Sequence, residues 1–259
     1  MKGADFMIQS DFLNATKSKE VHVYENGKYN VVEYLRDISV DPSEAQTAFF
    51  MSEMNVHKKQ LAINLNESAA VIQSGAMQWY AGDIKAGTDI KGAGDLAKKL
   101  IGSKMSGESA VKPKYQGTGI LVLEPTYQHI VVSNIDEWNG GVVLEDGLFL
   151  ACDSTINMKI VSRKTISSAV LGNEGLFNLS LNGSGSFAIE SPVPREELVE
   201  IHLTDDVIRI DGSFAIAWSP SLKFTVEKTT RSLVGSAASG EGFVNVYRGT
   251  GTIWMAPIR

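Results

Sequence analysis

The feature of the sequence that most restricts its fold is an internal repeat. The stretches at residues 115–125 and 247–257 both begin with Tyr, continue with Gly-Thr-Gly from the third position and end in Pro. A third Gly-x-Gly triplet, at residues 183–185, lies midway, so successive triplets are 66 residues apart. A fixed period of this kind predicts tandem structural units, because each unit repeats the same local backbone requirements.

Two further markers recur in the same order. Each Gly-x-Gly triplet follows a glutamate set among small residues, and each glutamate follows a small turn between apolar runs. The glycines are Gly117, Gly119, Gly183, Gly185, Gly249 and Gly251, the glutamates are Glu108, Glu174 and Glu241, and the turns are Ser74-Gly75, Asp146-Gly147 and Asp211-Gly212. The three markers together predict tandem units near residues 61–133, 134–199 and 200–259.

Each unit is predicted to be β-structure, so the expected fold class is all-β. Asp-Gly between apolar runs is typical of β-hairpins, since both residues tolerate positive φ. Each Gly-x-Gly triplet is expected to open a short apolar strand, where glycine marks a bulge, a corner or a close backbone approach. Three equivalent sheets predict a pseudo-threefold arrangement.

Residues 1–60 lie outside the repeat and are predicted to form an N-terminal extension to a three-repeat domain over 61–259. The run VHVYENGKYNVVEYL predicts a hairpin that turns at Asn26-Gly27. A helix is expected over 41–55, because Asp41 is a suitable N-cap and Pro42 suits the first helical position.

The first repeat also carries an insertion with a short helix over 95–102. Its apolar and basic residues are Leu96, Lys98, Lys99, Leu100 and Ile101. Between residues 85 and 114 there are seven lysines against three acidic residues. A basic amphipathic patch of this kind suits contact with a partner or an anionic membrane surface. The alternative, which we favour, is a short helix that covers the end of the barrel, since so short a helix persists only when packed.

Several of these segments resemble a known family. SGAMQWYAGDI, GES, GEGFVNVYRGTGTIW and the Gly-x-Gly strands are similar to the altered-inheritance-of-mitochondria protein family, whose bacterial members are of unknown function. The resemblance covers roughly residues 61–259. It implies self-association and a fold similar to the trp RNA-binding attenuation protein (TRAP-like, a double-stranded β-helix type). The mitochondrial member is linked to inner-membrane organisation, and this chain departs from it in its N-terminal block.

No catalytic residue, cofactor or metal ligand is predicted. His22, His57, His129 and His202 show no metal-ligand spacing, and we interpret His129 and His202 as hydrogen-bonded strand residues. Cys152 follows an apolar run and is interpreted as a small core residue.

The repeated glutamates allow two interpretations. Three equivalent carboxylates near a threefold axis are suited to a hard cation. We favour the other interpretation, in which each carboxylate accepts hydrogen bonds from the backbone of its own glycine-rich turn.

These observations favour a non-catalytic, self-associating scaffold or binding protein. The alternative is an enzyme or small-ligand-binding protein that uses a pocket between β units. The net charge of −6 makes nucleic acid an improbable partner, which leaves a homo-oligomer, a protein partner or peripheral membrane contact. A single cysteine and the lack of a signal-peptide core predict a cytoplasmic location.

Overall fold

The computed structural model describes residues 10–37, 39–88, 112–162, 177–228 and 243–258. Within these ranges the chain forms fifteen strands, one α-helix and three 3-10 turns. The strands are β1 (Glu20–Tyr24), β2 (Tyr29–Tyr34), β3 (Lys58–Ile72), β4 (Met77–Thr88), β5 (Pro113–Leu123), β6 (His129–Asn134), β7 (Val142–Leu144), β8 (Phe149–Asp153), β9 (Asn157–Ser162), β10 (Phe177–Asn182), β11 (Ser186–Ser191), β12 (Val199–Asp211), β13 (Ala215–Trp218), β14 (Lys223–Lys228) and β15 (Phe243–Met255). The helix α1 spans Ala45–Glu53, and the 3-10 turns span Glu25–Gly27, Ile135–Trp138 and Arg195–Glu197.

The strands form two curled antiparallel sheets. In the first the order is β1-β2-β3-β8-β11-β6, with β5 paired to β3 and β4 paired to β5. In the second the order is β12-β15-β13-β7-β10-β9, with β14 paired to β15. Strand β3 pairs with β2, β5 and β8, and most of its residues are buried, which explains its long apolar runs. The prediction of a predominantly β fold is confirmed.

The three small turns are present, but they are not hairpins. Gly75, Gly147 and Gly212 have φ of 81°, 78° and 50°, as a tight turn requires. The strands on either side of each turn do not pair with one another. Instead β3 and β4 both pair with β5, and β12 and β13 both pair with β15. The first and third turns are therefore corners at which the chain passes to the other side of a third strand, whereas the second turn joins β7 of the second sheet to β8 of the first. The hairpin prediction is wrong.

The first and third Gly-Thr-Gly triplets oppose identical β-bulges. In β3 the register shifts between Leu65, opposite Gly119, and Ser68, opposite Gly117. The bulged residue Glu67 has φ of 48°, and its N–H donates to the Thr118 hydroxyl at 3.1 Å. The predicted bulge is confirmed here, and the threonine of the triplet binds the bulge that its glycines oppose.

The third unit repeats this arrangement in β12 and β15. Leu203 lies opposite Gly251 and Asp206 opposite Gly249. The intervening Asp205 has φ of 51° and its N–H donates to the Thr250 hydroxyl at 3.0 Å. Both triplets lie inside long strands, so the expectation that each one opens a strand is wrong for these two copies.

The second triplet does precede a strand. Gly183 and Gly185 lie between β10 and β11, where the chain passes from the second sheet to the first. Their φ values of 115° and 122° mark a corner. The same Gly-x-Gly signature thus lies opposite a bulge in the first and third units, and marks a change of sheet in the second unit.

The N-terminal hairpin is confirmed and is integral to the first sheet. Glu25, Asn26 and Gly27 all have positive φ at the turn, and β2 pairs with β3 along six residues. The boundary expected at residue 60 lies within β3. Tyr29 is fully buried, and its hydroxyl donates to Asp153 Oδ1 at 2.9 Å.

Helix α1 begins later than predicted. The Asp41 carboxylate accepts hydrogen bonds from the N–H and hydroxyl of Ser43, at 2.8 and 2.6 Å, and so stabilises a preceding turn. The helix starts at Ala45 with Glu44 at its N-cap position, so the N-cap expected at Asp41 is wrong, although the Asp41 carboxylate caps the turn that precedes the helix. Asn55, expected to end the helix, lies two residues beyond it with φ of 59°.

Candidate binding groove

The predicted site residues divide into those the structure describes and those it does not. The six glycines lie in the bulges and the corner given above and contribute backbone geometry rather than chemistry. The remaining predicted residues lie outside the described ranges: Glu108, Glu174, Glu241, Leu96, Lys98, Lys99, Leu100 and Ile101. The two interpretations of the glutamates and the role of the insertion helix therefore remain predictions.

A groove of about 930 Å³ runs along one edge of the first sheet. One wall is the face of the β1–β2 hairpin, which presents alternate residues of each strand. The other wall is β6 together with residues 192–197, which follow β11. The chain just after α1 and residues 57 and 59 close one end of the groove.

Glu33 is the central charged group of this groove. Its Oε1 lies 2.8 Å from His57 Nδ1 and 3.4 Å from Lys59 Nζ, and its Oε2 lies 3.4 Å from His22 Nε2. The second ring nitrogen of His57 lies 3.3 Å from the Ser52 carbonyl oxygen. Glu33 and Lys59 face each other because they are register partners in the β2–β3 ladder. The result is a compact network in which positive and negative groups satisfy one another.

Three pKa values in the groove are displaced from their usual range, those of Glu33, His129 and Tyr24. Burial raises the pKa of Glu33, but the hydrogen bonds and charges of His57 and Lys59 outweigh burial and leave the pKa below its ordinary value of 4.5. Burial lowers the pKa of His129, and the charge of Lys59 lowers it further, against the opposing effect of nearby glutamates. The environment of His129 therefore favours the neutral form of the imidazole.

We expect Glu33→Gln to remove part of the acid sensitivity of the fold. Because the pKa of Glu33 is lower in the folded chain than in the unfolded chain, its stabilisation is present above pH 4.5 and is lost as pH falls through the folded value. The expected loss in the variant is about 1 kcal/mol at neutral pH, and it should disappear below the folded pKa. Thermal unfolding between pH 3 and pH 7 measures this, with the exposed Glu124→Gln as control. A constant difference across that range would contradict the assignment.

Apolar side chains are exposed around the rim of the same groove. Tyr24, Met54, Val56, Tyr127 and Ile258 are between 39% and 74% exposed. The floor is formed by the buried residues Val31, Ile130, Val131 and Val193. Contiguous exposed apolar surface with a polar surround is typical of a binding site.

Sequence reasoning missed this groove. His22, Glu33, His57 and His129 are scattered over more than 100 positions and belong to no spacing motif. The interpretation as a hydrogen-bonded strand residue is confirmed for His202, which lies in β12 with its Nδ1 3.1 Å from Thr252 Oγ1. His129 lies in β6 as predicted, but the described residues provide it with no hydrogen-bond partner, so that part of the interpretation is wrong. The only local signal was the presence of ionisable residues in otherwise apolar strands.

Other chemistry in the described chain is limited. Within the described ranges no group of three or more His, Cys, Asp or Glu side chains is arranged to hold a metal ion. Cys152 is fully buried, as expected of a core residue, and burial raises the pKa of its thiol. Among the described helices none is long and apolar enough to cross a bilayer.

Comparisons with known proteins agree with the resemblance found in the sequence. An uncharacterized protein of Streptococcus pyogenes serotype M6 is 30% identical over 202 residues, which cover 74% of this chain and 79% of that protein. A crystal structure of a Streptococcus pyogenes protein superposes with a TM-score of 0.58 at 22% identity, covering 93% of this chain and 94% of that one. That likeness shows a shared fold. The sequence model of the family described as mitochondrial biogenesis AIM24 matches residues 53–258. Because this match covers most of the chain, the chain belongs to the mitochondrial biogenesis AIM24 family.

Proposed function

We propose that this chain is a non-catalytic, self-associating binding protein, and that the groove between the β1–β2 hairpin and β6 is its binding site. The observation that carries the proposal is the concentration of exposed apolar side chains at one place. Five of the large exposed hydrophobic residues border the groove, and Phe49 and Phe50 lie on the adjoining helix α1. Surface of this kind costs free energy in water unless a partner covers it.

The ionisable groups of the groove support binding rather than catalysis. Both ring nitrogens of His57 have partners, and Glu33 is shared among three positively charged or titratable groups. A general base needs a lone pair directed at substrate. His57 and Glu33 instead hold the end of α1 and the first three strands in place.

Self-association is supported by α1. No side chain of this helix is buried, and Phe49 and Phe50 are 49% and 58% exposed with their ring centroids 5.5 Å apart. An aromatic pair of this kind suits the centre of a subunit interface, because each ring removes a large apolar area from water at little entropic cost. The proposed occupant of this face is a second copy of the chain.

We expect a Phe49→Ser, Phe50→Ser double variant to lose self-association. Native mass spectrometry and sedimentation velocity should give an oligomer for the parent chain and a monomer for the variant, with unchanged circular dichroism. Ile160→Ser is the control, since Ile160 is 43% exposed on β9 of the second sheet, whereas α1 contacts residues next to strands of the first sheet. A monomeric parent chain, or an oligomer in the double variant, would refute self-association through α1.

A second candidate is a small-ligand-binding protein or an enzyme that uses the same groove. It is favoured by His129, a half-buried imidazole on the groove whose pKa is lowered by burial and for which the described residues provide no hydrogen-bond partner. Loss of a measured turnover or ligand affinity in His129→Ala, with the Phe49, Phe50 variant unaffected, would favour this candidate.

The finer architecture and location form part of the same proposal. We propose that residues 61–259 comprise three equivalent units in a TRAP-like, pseudo-threefold arrangement, with residues 1–60 as an extension. The matching bulges at Glu67 and Asp205 support equivalence of the first and third units.

We further propose a cytoplasmic location, which the single cysteine supports. Mitochondrial biogenesis is a process of organelles, and both relatives are streptococcal, so that process forms no part of the proposal.

A further inference from the structure

The two walls of the groove are built differently. From β1 and β2 the groove is lined by alternate residues, so these strands present a face. From β6 it is lined by four consecutive residues, 129–132. Successive side chains of a strand point to opposite faces, so four consecutive residues line one groove only where the edge of the strand faces it.

This edge of β6 is open in the described part of the chain. β6 pairs with β11 on one side, and it ends the strand order of the first sheet. An open edge presents backbone N–H and C=O groups that a further strand can pair with. The edge is six residues long, from His129 to Asn134, which suits an extended segment of similar length.

The charges that line the groove indicate the sign of the charge that the added segment should carry. Four carboxylates line it, at Glu20, Glu33, Glu196 and Glu197, against two basic side chains. Both basic groups are engaged: Lys59 pairs with Glu33, and Arg195 donates to Glu200 at 2.6 Å while stacking 4.3 Å above the Trp254 ring. Glu196 and Glu197 line the groove and are exposed.

The effect of these carboxylates extends across the groove. Burial raises the pKa of Tyr24 on one wall, and the charges of Glu196 and Glu33 raise it further. Glu33, Glu197 and Glu196 also act to raise the pKa of His129 on the other wall. The carboxylates therefore act on both walls, with the charge of Lys59 opposing them at His129, and the exposed pair Glu196 and Glu197 complements a cationic ligand.

We propose that the groove binds an extended segment of a partner protein, in which basic and apolar residues alternate, as an additional strand on the edge of β6. This inference rests on the proposed binding function and specifies its ligand. One face of the added strand places apolar side chains over Val131 and Val193. Its other face carries the basic side chains towards Glu196 and Glu197.

Capped, fluorescent hexapeptides test the proposal by fluorescence anisotropy on the full chain. We expect a peptide of alternating lysine and valine to bind at least about tenfold more tightly than one of alternating glutamate and valine. Methylation of alternate backbone nitrogens, which removes strand hydrogen bonds and keeps the charge, should weaken binding by at least about tenfold. The double variant Glu196→Gln, Glu197→Gln should weaken binding about threefold and reduce its dependence on salt.

Hydrogen exchange locates the added strand. We expect the basic peptide to slow amide exchange at residues 129–132 and to leave the β9 edge unchanged. The proposal is overturned by equal affinity for the acidic peptide, by full binding of the methylated peptide, or by protection at another edge. It is also overturned if exchange at 129–132 slows with rising protein concentration alone, because a second copy then occupies the groove. If the chain binds no peptide but the Phe49→Ser, Phe50→Ser variant loses self-association, this ligand is rejected and the proposal of self-association is retained.

Discussion

Alanine at Gly117 or Gly119 should destabilise the fold by about 3 kcal/mol or more. A Cβ at Gly117 would lie 1.9 Å from the Asp83 carbonyl oxygen, and one at Gly119 would lie 2.0 Å from that of Ala81. Both oxygens belong to the backbone of β4, which pairs with β5 at these positions and cannot move without breaking the ladder. Their φ values of 142° and 156° add a conformational cost for any residue with a Cβ.

Two other glycines provide controls for this prediction. A Cβ at Gly87, on the same β4 strand, meets nothing within 4 Å, so Gly87→Ala should change stability by less than about 0.5 kcal/mol. Gly249 is the third-unit counterpart of Gly117, but its nearest neighbour is 3.7 Å away. Gly249→Ala should therefore cost about 1 kcal/mol, from its φ of 119° alone. Guanidinium unfolding followed by tryptophan fluorescence gives all four values, and equal stability of Gly117→Ala and Gly87→Ala would disprove the close approach.

Removal of the Asp153 carboxylate should cost about 3 kcal/mol, because it removes the ion partner of Lys28 and an acceptor of both the buried Tyr29 hydroxyl and the buried Ser186 N–H. Asp153 is only 15% exposed and ends β8. It accepts hydrogen bonds from Lys28 Nζ, from the Tyr29 hydroxyl at 2.9 Å and from the Ser186 N–H at 2.9 Å. These groups come from the N-terminal hairpin and from β11, so one carboxylate joins the hairpin to the centre of the first sheet.

The effect is measured by urea unfolding of Asp153→Ala, Lys28→Met and the double variant. Lys28 is 24% exposed, so its removal alone should cost about 1 kcal/mol. We expect the double variant to be more stable than the sum of the single effects predicts, since the ammonium no longer lacks a partner. A cost below about 1 kcal/mol for Asp153→Ala would show that water replaces the carboxylate and that the hairpin is held by apolar packing.

Much of the backbone could be predicted from short stretches of sequence. The glycines at 75, 147 and 212 mark real turns, and the Gly-Thr-Gly triplets mark real bulges at Glu67 and Asp205. These predictions succeeded because positive φ and close backbone approach are requirements of single residues, and the residue that satisfies them is visible in the sequence. The hairpin at Asn26-Gly27 was predictable for the same reason.

The pairing of strands was decided only by the tertiary structure. The alternation of apolar residues shows that a segment is a strand, but it does not identify the neighbour, since every strand presents the same backbone groups. The sequence therefore predicts a hairpin at each corner, although β3 and β4 pair with β5 instead. The same choice of partners brings Glu33 beside His57 and leaves β6 at an edge. The sequence by itself determined a β fold with its turns and bulges, because those depend on local backbone geometry. The groove depends on contacts between distant segments, and only the folded chain brings them together.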